Sequence, residues 1–256
     1  MNELSISQFE LVYNSLSFGI AGMGAVTLFL WLSRDMVAPA YRTAVTISGL
    51  VTFIACYHYS RMLGSWNDAY SVVNGTLAST GSKFNDAYRY VDWLLTVPLL
   101  LIELILVMRL TRSETMSKSI RLGSLAALMI LLGYPGEISA DSNTRWIFWT
   151  LSMIPFSIIV FELFVGLKQS IASQPANVKG LVNGARFMTV ASWCFYPIVF
   201  VLPMVGLSGG DATAAVQVGY TIADLVAKAA FGILIFSIAS RKSEAEGTGE
   251  PSLTTA

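Results

Sequence analysis

Apolar runs of about 20 residues recur along almost the whole chain, and each is long enough at ~1.5 Å per residue to cross a ~30 Å hydrocarbon core. Seven can be marked, at about 8–33, 40–63, 85–110, 118–138, 145–168, 177–204 and 212–240. None alternates strictly between apolar and polar residues, and an open sheet has no place in lipid, so the runs predict helices. With 54% hydrophobic and 12% charged residues, the chain is expected to be an all-α membrane protein, a seven-transmembrane-helix bundle. Its connections are short. The only low-complexity segment is the terminal "RKSEAEGTGEPSLTTA", so a single transmembrane domain over 1–240 and a polar tail over 241–256 are expected.

Zero net charge hides an asymmetry. Arg34, Arg42, Arg109, Arg112, Lys118, Arg121, Lys168, Lys179, Arg186, Arg241 and Lys242 fall on one side of the seven runs, against Arg61, Lys83 and Arg145 on the other. The positive-inside rule makes the richer side cytoplasmic. This places the N-terminus outside and the C-terminal tail in the cytoplasm of a multi-pass protein of the plasma membrane. The start "MNELSISQFELVY" has no basic segment ahead of its apolar stretch, so no cleaved signal peptide is expected.

Between the second and third runs, "DAYSVVNGTLAST" sets Asn74-Gly75 between two short stretches rich in Val, Thr and Leu, which predicts a β-hairpin. Cys56 and Cys194 lie in apolar runs and read as small buried hydrophobes. One histidine, no paired cysteines and no HExxH leave no metal site, and no phosphate-binding loop of the GxxxxGK[ST] type is present. Nucleic acid is not an expected partner.

The third run, "RYVDWLLTVPLLLIE" at 89–103, carries three charges where lipid-facing sequence should have none. Arg89, Asp92 and Thr96 share a helix face by their spacing of three and four. Glu103, eleven residues past Asp92, returns to that face ~16 Å along the axis. An ionised side chain at mid-bilayer costs roughly 2.5 to 3.5 kcal/mol on insertion scales, so such a column must face the bundle interior and find partners. The last run supplies them in "VGYTIADLVAKAAFGILIF", where Asp224 and Lys228 stand one turn apart. Together Lys228, Arg89, Asp92 and Asp224 sum to zero charge. A buried lysine tends to shed its proton, the state in which an amine condenses with an aldehyde. Glu103 has no cation nearby, and desolvation favours its protonated form at rest. One carboxylate is thus placed to accept a proton and another to donate one.

These residues carry a resemblance. The stretch 89–103, followed by Asp224 and Lys228 on a seventh helix, resembles the microbial rhodopsins. The trio Asp92, Thr96 and Glu103 is similar to that of the outward proton pumps of the proteorhodopsin and xanthorhodopsin group. Further similar stretches are "YHYSRM" around His58, "SKFNDAYRYVDWLLTVPLLL", "GYPGEIS" at 133–139, "WCFYP" at 193–197 and "QVGYTIADLVAK". The resemblance implies all-trans retinal bound to Lys228 as a protonated Schiff base. It also implies Asp92 as counterion and acceptor, Asp224 as second counterion, Glu103 as cytoplasmic donor, His58 as the partner of the acceptor, and Arg89 toward the outside. It implies a pocket lined by Trp93, Leu100, Gly133, Trp149, Ser152, Phe156, Trp193, Tyr196 and Pro197, and a homo-oligomer, pentamer or hexamer. Leucine at position 100 resembles the green-absorbing form of the group.

By the topology above, the third and seventh helices both run from outside to inside. Asp92 is then external to Glu103, Asp224 external to Lys228, and protons leave the cell. Two departures from the family pattern stand out. Members that bind a carotenoid antenna carry a glycine in the fifth helix where this chain has Trp149, so no carotenoid is expected. The outer carboxylate pair that releases protons in archaeal pumps has no counterpart in "VGLSGGDATAA", which offers only Asp211.

Duller readings stand beside these. Lys228, Asp92 and Arg89 could form a purely structural ion cluster, His58 could be a hydrogen-bonded interfacial residue, and Trp93 and Trp193 could be ordinary core aromatics. Glu162 reads as interfacial, snorkelling to the membrane surface. The chain is expected to be a light-driven ion transporter and not an enzyme. A sensory photoreceptor with a slow photocycle is the alternative. A ligand-gated receptor would not need Asp224 and Lys228, and sodium or chloride pumps of this superfamily replace the aspartate at position 92.

Overall fold

The structure, a computed structural model, describes residues 4–206 and 209–247. Seven long helices cross it among these residues: α1 (Ile6–Leu32), α2 (Pro39–Ala69), α3 (Ala87–Met108), α4 (Arg112–Glu137), α5 (Ser142–Gly166), α6 (Ala176–Val205) and α7 (Gly210–Ala245). Six are apolar enough along their length to be spans by composition alone. The exception is α2, whose polar and ionisable residues, Arg42, Ser48, Thr52, His58 and Arg61 among them, dilute its hydropathy.

Several helices start earlier than the apolar runs suggested, because their first turns are polar and held by caps. Ser5 and Gln8 form a capping box at α1, Thr111 and Glu114 form another at α4, and the Asp141 side chain accepts from the Thr144 amide at α5. At its C-terminal end α2 runs on to Ala69, anchored by Trp66, which is buried and stacks on Phe9 of α1. The expected hairpin follows. Strand β1 (Tyr70–Val73) pairs antiparallel with β2 (Thr76–Ser79), and Asn74 and Gly75 both take positive φ, 53° and 77°, as a two-residue type I′ turn requires. At the other end of the chain α7 continues five residues past 240, while the tail beyond residue 247 lies outside the described residues.

Large apolar side chains such as Phe18, Leu32, Ile120 and Phe187 are more than half exposed, the inside-out pattern of a bundle whose outer solvent is lipid. The most apolar stretch of α3 is 61% buried and that of α7 56%, against 28% for each of the other four spans, so the two charge-bearing helices form the centre. Around them the main apolar core gathers residues from Leu30 on α1 to Ala239 on α7.

Irregular turns sit where they affect side-chain placement. The α7 helix widens into a π-turn over Leu225–Ala230, which contains Lys228, and α5 ends in another over Glu162–Gly166. Such single-turn bulges re-aim the side chains around them. In the second, Glu162 reaches Arg121 of α4 at 2.8 Å with its side chain 12% exposed. It forms an inter-helix ion pair with a side chain that is itself 60% exposed, in keeping with an interfacial position.

Candidate functional site

The column of charges on α3 and the pair on α7 do meet. Lys228, Asp92, Asp224 and Arg89 are all at most 1% exposed. Lys228 Nζ donates to Asp92 Oδ2 and, at 2.9 Å, to Asp224 Oδ1. Arg89 Nη1 lies 3.8 Å from Asp224 Oδ2. Two cations and two anions thus share one buried enclosure and pair with one another, the condition under which buried charge is tolerable.

The two carboxylates differ sharply in their surroundings. Asp224 accepts from Tyr59 OH (2.8 Å) and Tyr196 OH (2.7 Å), with Trp93 Nε1 at 3.3 Å, besides Lys228. Asp92 has Lys228 on one oxygen and no hydrogen bond on Oδ1. His58 Nδ1 lies 3.9 Å from that oxygen, too far for a hydrogen bond, and instead meets the Ile54 carbonyl of its own helix at 2.9 Å. The Thr96 hydroxyl also turns to backbone, donating to Asp92 O at 2.8 Å, and does not touch the carboxylate.

Glu103 is apart from this group. Its carboxyl is fully buried and neither oxygen has a hydrogen-bond partner. Ser48 of α2 is its polar neighbour.

From Lys228 an elongated, largely apolar cavity runs between the helices. Its walls include all nine pocket residues expected from sequence: Trp93, Leu100, Gly133, Trp149, Ser152, Phe156, Trp193, Tyr196 and Pro197. Tyr90, Val97 and Ala227, which lie within the stretches quoted above but were not singled out, line it too, as do Met129, Ile130 and Met153. A primary amine at the end of an apolar slot, with carboxylates to balance its charge, fits a long hydrophobic aldehyde joined to Nζ. Trp149 closes one flank of the slot, its Nε1 donating to Pro197 O at 3.0 Å and so fastening α5 to α6.

On the side of the cluster away from Glu103, Arg89 Nη2 donates to Gln217 Oε1 at 2.6 Å, and Gln217 Nε2 is 3.4 Å from Asp86 Oδ1. Burial pushes the Asp86 carboxyl above the usual range, outweighing the downward pull of Arg89 and Gln217. Glu137 stands nearby with Arg145 at 3.9 Å. Neither carboxyl was legible as a site residue, since Asp86 opens a helix and Glu137 closes one, ordinary places for acids. Asp211, the acid that the sequence offered on this side, is tied to α1 by Gln8 Nε2 at 2.6 Å.

Comparison with known proteins gives a consistent picture. The sequence model of the bacteriorhodopsin-like protein family matches residues 11–241. The chain is 32% identical over 239 residues to the green-light absorbing proteorhodopsin of Gamma-proteobacterium EBAC31A08, covering 90% of this chain and 88% of that one. Among solved structures it is similar to xanthorhodopsin, described as a light-driven ion pump with dual chromophore, at 49% identity and a TM-score of 0.92, covering 96% of this chain and 99% of the other. A thermophilic rhodopsin matches at 45% identity and a TM-score of 0.93 over the same shares.

Proposed function

The chain belongs to the bacteriorhodopsin-like protein family, and on that premise we propose that it is a light-driven outward proton pump with retinal on Lys228. The observation that carries this reading is the difference between the two carboxylates beside Lys228 Nζ, together with a third, Glu103, held apart on the same helix. Retinal, joined to Lys228 Nζ as a protonated Schiff base, would supply light absorption and the isomerisation that drives the cycle.

The surroundings of these residues support one reading of the proton's path. At rest Lys228 Nζ holds the proton and Asp92 and Asp224 balance its charge. Asp92 is the acceptor, because its Oδ1 has no donor to give up, whereas protonating Asp224 would forfeit the bonds from Tyr59 and Tyr196. Asp224 remains the fixed counterion, with Arg89 on its outer side. Glu103 then returns a proton to Nζ from the cytoplasmic side and is recharged from there. His58, beside Asp92 Oδ1, would tune the acceptor, and Trp93 and Trp193 would hold the polyene. Thr96, bonded to the Asp92 backbone, would fix the turn that aims the carboxylate.

Trp149 fills the flank where antenna-binding relatives carry glycine, so retinal is read as the sole chromophore. Energy transfer to retinal from an added hydroxylated carotenoid would overturn that. The basic-residue asymmetry orients the chain with its N-terminus outside and its tail in the cytoplasm, and assembly is proposed as a pentamer or hexamer.

The test is direct. Cells expressing the chain and supplied with all-trans retinal should acidify their medium on illumination, and a protonophore should abolish the signal. A visible pigment whose photocycle lasts seconds and moves no protons would instead favour a photosensor.

A further inference from the structure

Glu103 poses a problem that the pump reading does not itself resolve: it must be recharged from the cytoplasm, yet it is sealed, with no exposure and no hydrogen-bonded neighbour on either oxygen. A polar cavity opens at that end of the bundle, between the end of α3, the start of α4, the segment 169–175 that leads into α6, and the end of α7. Arg109, Glu114, Lys118 and Glu246 border it, and its inner wall includes Met108, Gln174 and Lys242.

One charged side chain in that wall is held unusually firmly. Lys242 is only 6% exposed, and its Nζ donates to Val107 O (3.1 Å), Met108 O (3.1 Å) and Gln174 Oε1 (2.9 Å), which uses all three of its protons. Gln174, 8% exposed, is itself fixed by donating from Nε2 to Met108 O and Ser170 O, both at 3.1 Å. The ammonium therefore links the end of α3, the entry to α6 and the end of α7. Val107 follows Glu103 by four residues, so its carbonyl lies one turn, roughly 6 Å, further along the same face. Lys242 follows Lys228 by fourteen residues, which puts it roughly 21 Å further along the axis of α7. The cation and the helix-end carbonyls that it caps thus lie between the cavity and the turn of α3 that carries Glu103.

We propose that Lys242, held by Val107, Met108 and Gln174, is the closed gate of the proton-uptake route, and that the cavity above it is where the incoming proton enters. The proposal rests on the pump reading. A positive charge in the neck repels hydronium and excludes a water chain while the gate is shut, so Glu103 cannot leak its proton back. Loss of the bonds to Gln174 or to the α3 carbonyls would admit water to within a turn of Glu103. A hydronium ion in that water would then protonate the Glu103 carboxylate, one hydronium O–H bond breaking as the carboxyl O–H bond forms and a water molecule being left behind. Lys242 and Gln174 are positioning residues here, since neither holds the transported proton.

The experiment follows exchange of the Glu103 carboxyl proton in D2O by its infrared C=O stretch, assigned by its loss in Glu103→Gln, using the retinal-loaded protein. In the dark the unaltered protein should exchange slowly, and illumination should accelerate exchange. Gln174→Ala should exchange in the dark faster by roughly two- to tenfold, the worth of one hydrogen bond, and Lys242→Met faster still, both with an unchanged visible absorption maximum. Rapid dark exchange in the unaltered protein, no acceleration by light, or variant rates equal to the unaltered one would each overturn the gate. Should the variants yield no pigment, the dark and light arms on the unaltered protein still decide. External acidification measured on the same material separates the two readings: its absence refutes the pump, whereas pumping with freely exchanging Glu103 refutes only the gate.

Discussion

At the level of single residues, the two aspartates beside Lys228 are chemically alike and differ only in what surrounds them. Asp224 is saturated with donors from Tyr59, Tyr196 and Lys228, whereas Asp92 keeps one oxygen bare. Asp92→Asn should therefore leave the pigment without its acceptor, red-shift its absorption and abolish light-driven acidification; pumping at the normal rate would remove Asp92 from the path. Glu103→Gln should leave the first proton transfer intact and slow only the return of a proton to Lys228 Nζ, read as a prolonged recovery after a flash at neutral pH. Unchanged recovery would place the donor elsewhere. The sequence announced these residues because an intramembrane charge is costly enough to be conspicuous. It did not announce Tyr59 or Gln217, since a tyrosine or glutamine in a helix carries no comparable penalty and only the partner across the bundle reveals its use. Nor could spacing show that the Thr96 hydroxyl turns to the backbone or that His58 bonds its own helix, because both outcomes are settled by rotamers.

At the level of elements, glycine positions show how closely the helices around the site approach. A methyl group at Gly19 of α1 would come within 2.6 Å of the Tyr59 ring, which is buried on α2 and holds Asp224 through its hydroxyl. Gly19→Ala should therefore cost about 1–3 kcal/mol of stability through overpacking and, unlike a remote core substitution, should also shift the visible absorption maximum. A loss of stability with an unmoved spectrum would show that Tyr59 does not sense its neighbour. The hairpin gives a contrasting case. Gly75 has φ 77° with open space around it, so Gly75→Ala meets backbone strain alone, about 1–2 kcal/mol. Its cost should appear in hairpin protection measured by hydrogen exchange and leave the spectrum untouched. The hairpin was legible because the Asn-Gly pair has a narrow conformational preference. The π-turn at Leu225–Ala230 was not, since a one-residue bulge leaves hydrophobic periodicity almost unchanged over a long apolar helix. Helix ends were legible only where apolar character stopped, so the capped polar first turns of α4 and α5 were missed.

At the level of the whole molecule, direction of transport follows from two independent asymmetries that must agree. One is chemical: on α3 the proposed acceptor Asp92 precedes the proposed donor Glu103 by eleven residues, which gives the proposed proton path a fixed sense along the chain. The other is topological: eleven of the basic residues outside the buried cluster fall at one end of the bundle and three at the other, which orients that sense relative to the membrane. Seen from the end richer in basic residues, the order is the cavity lined by Lys242, then Glu103, then Lys228 with Asp92 and Asp224, then Arg89 and its link through Gln217 to Asp86. If both asymmetries hold, intact cells acidify their medium in light, and membrane vesicles turned inside out acidify their lumen with the same action spectrum. Labelling the first residues with an impermeant reagent on intact cells should succeed, and labelling the tail should require lysis. Opposite accessibility together with external acidification would mean that the proton enters near Asp92 and leaves past Glu103, which would reverse the donor and acceptor roles assigned to them. Accessibility as expected with alkalinisation outside would break the pump's sense while leaving its topology intact.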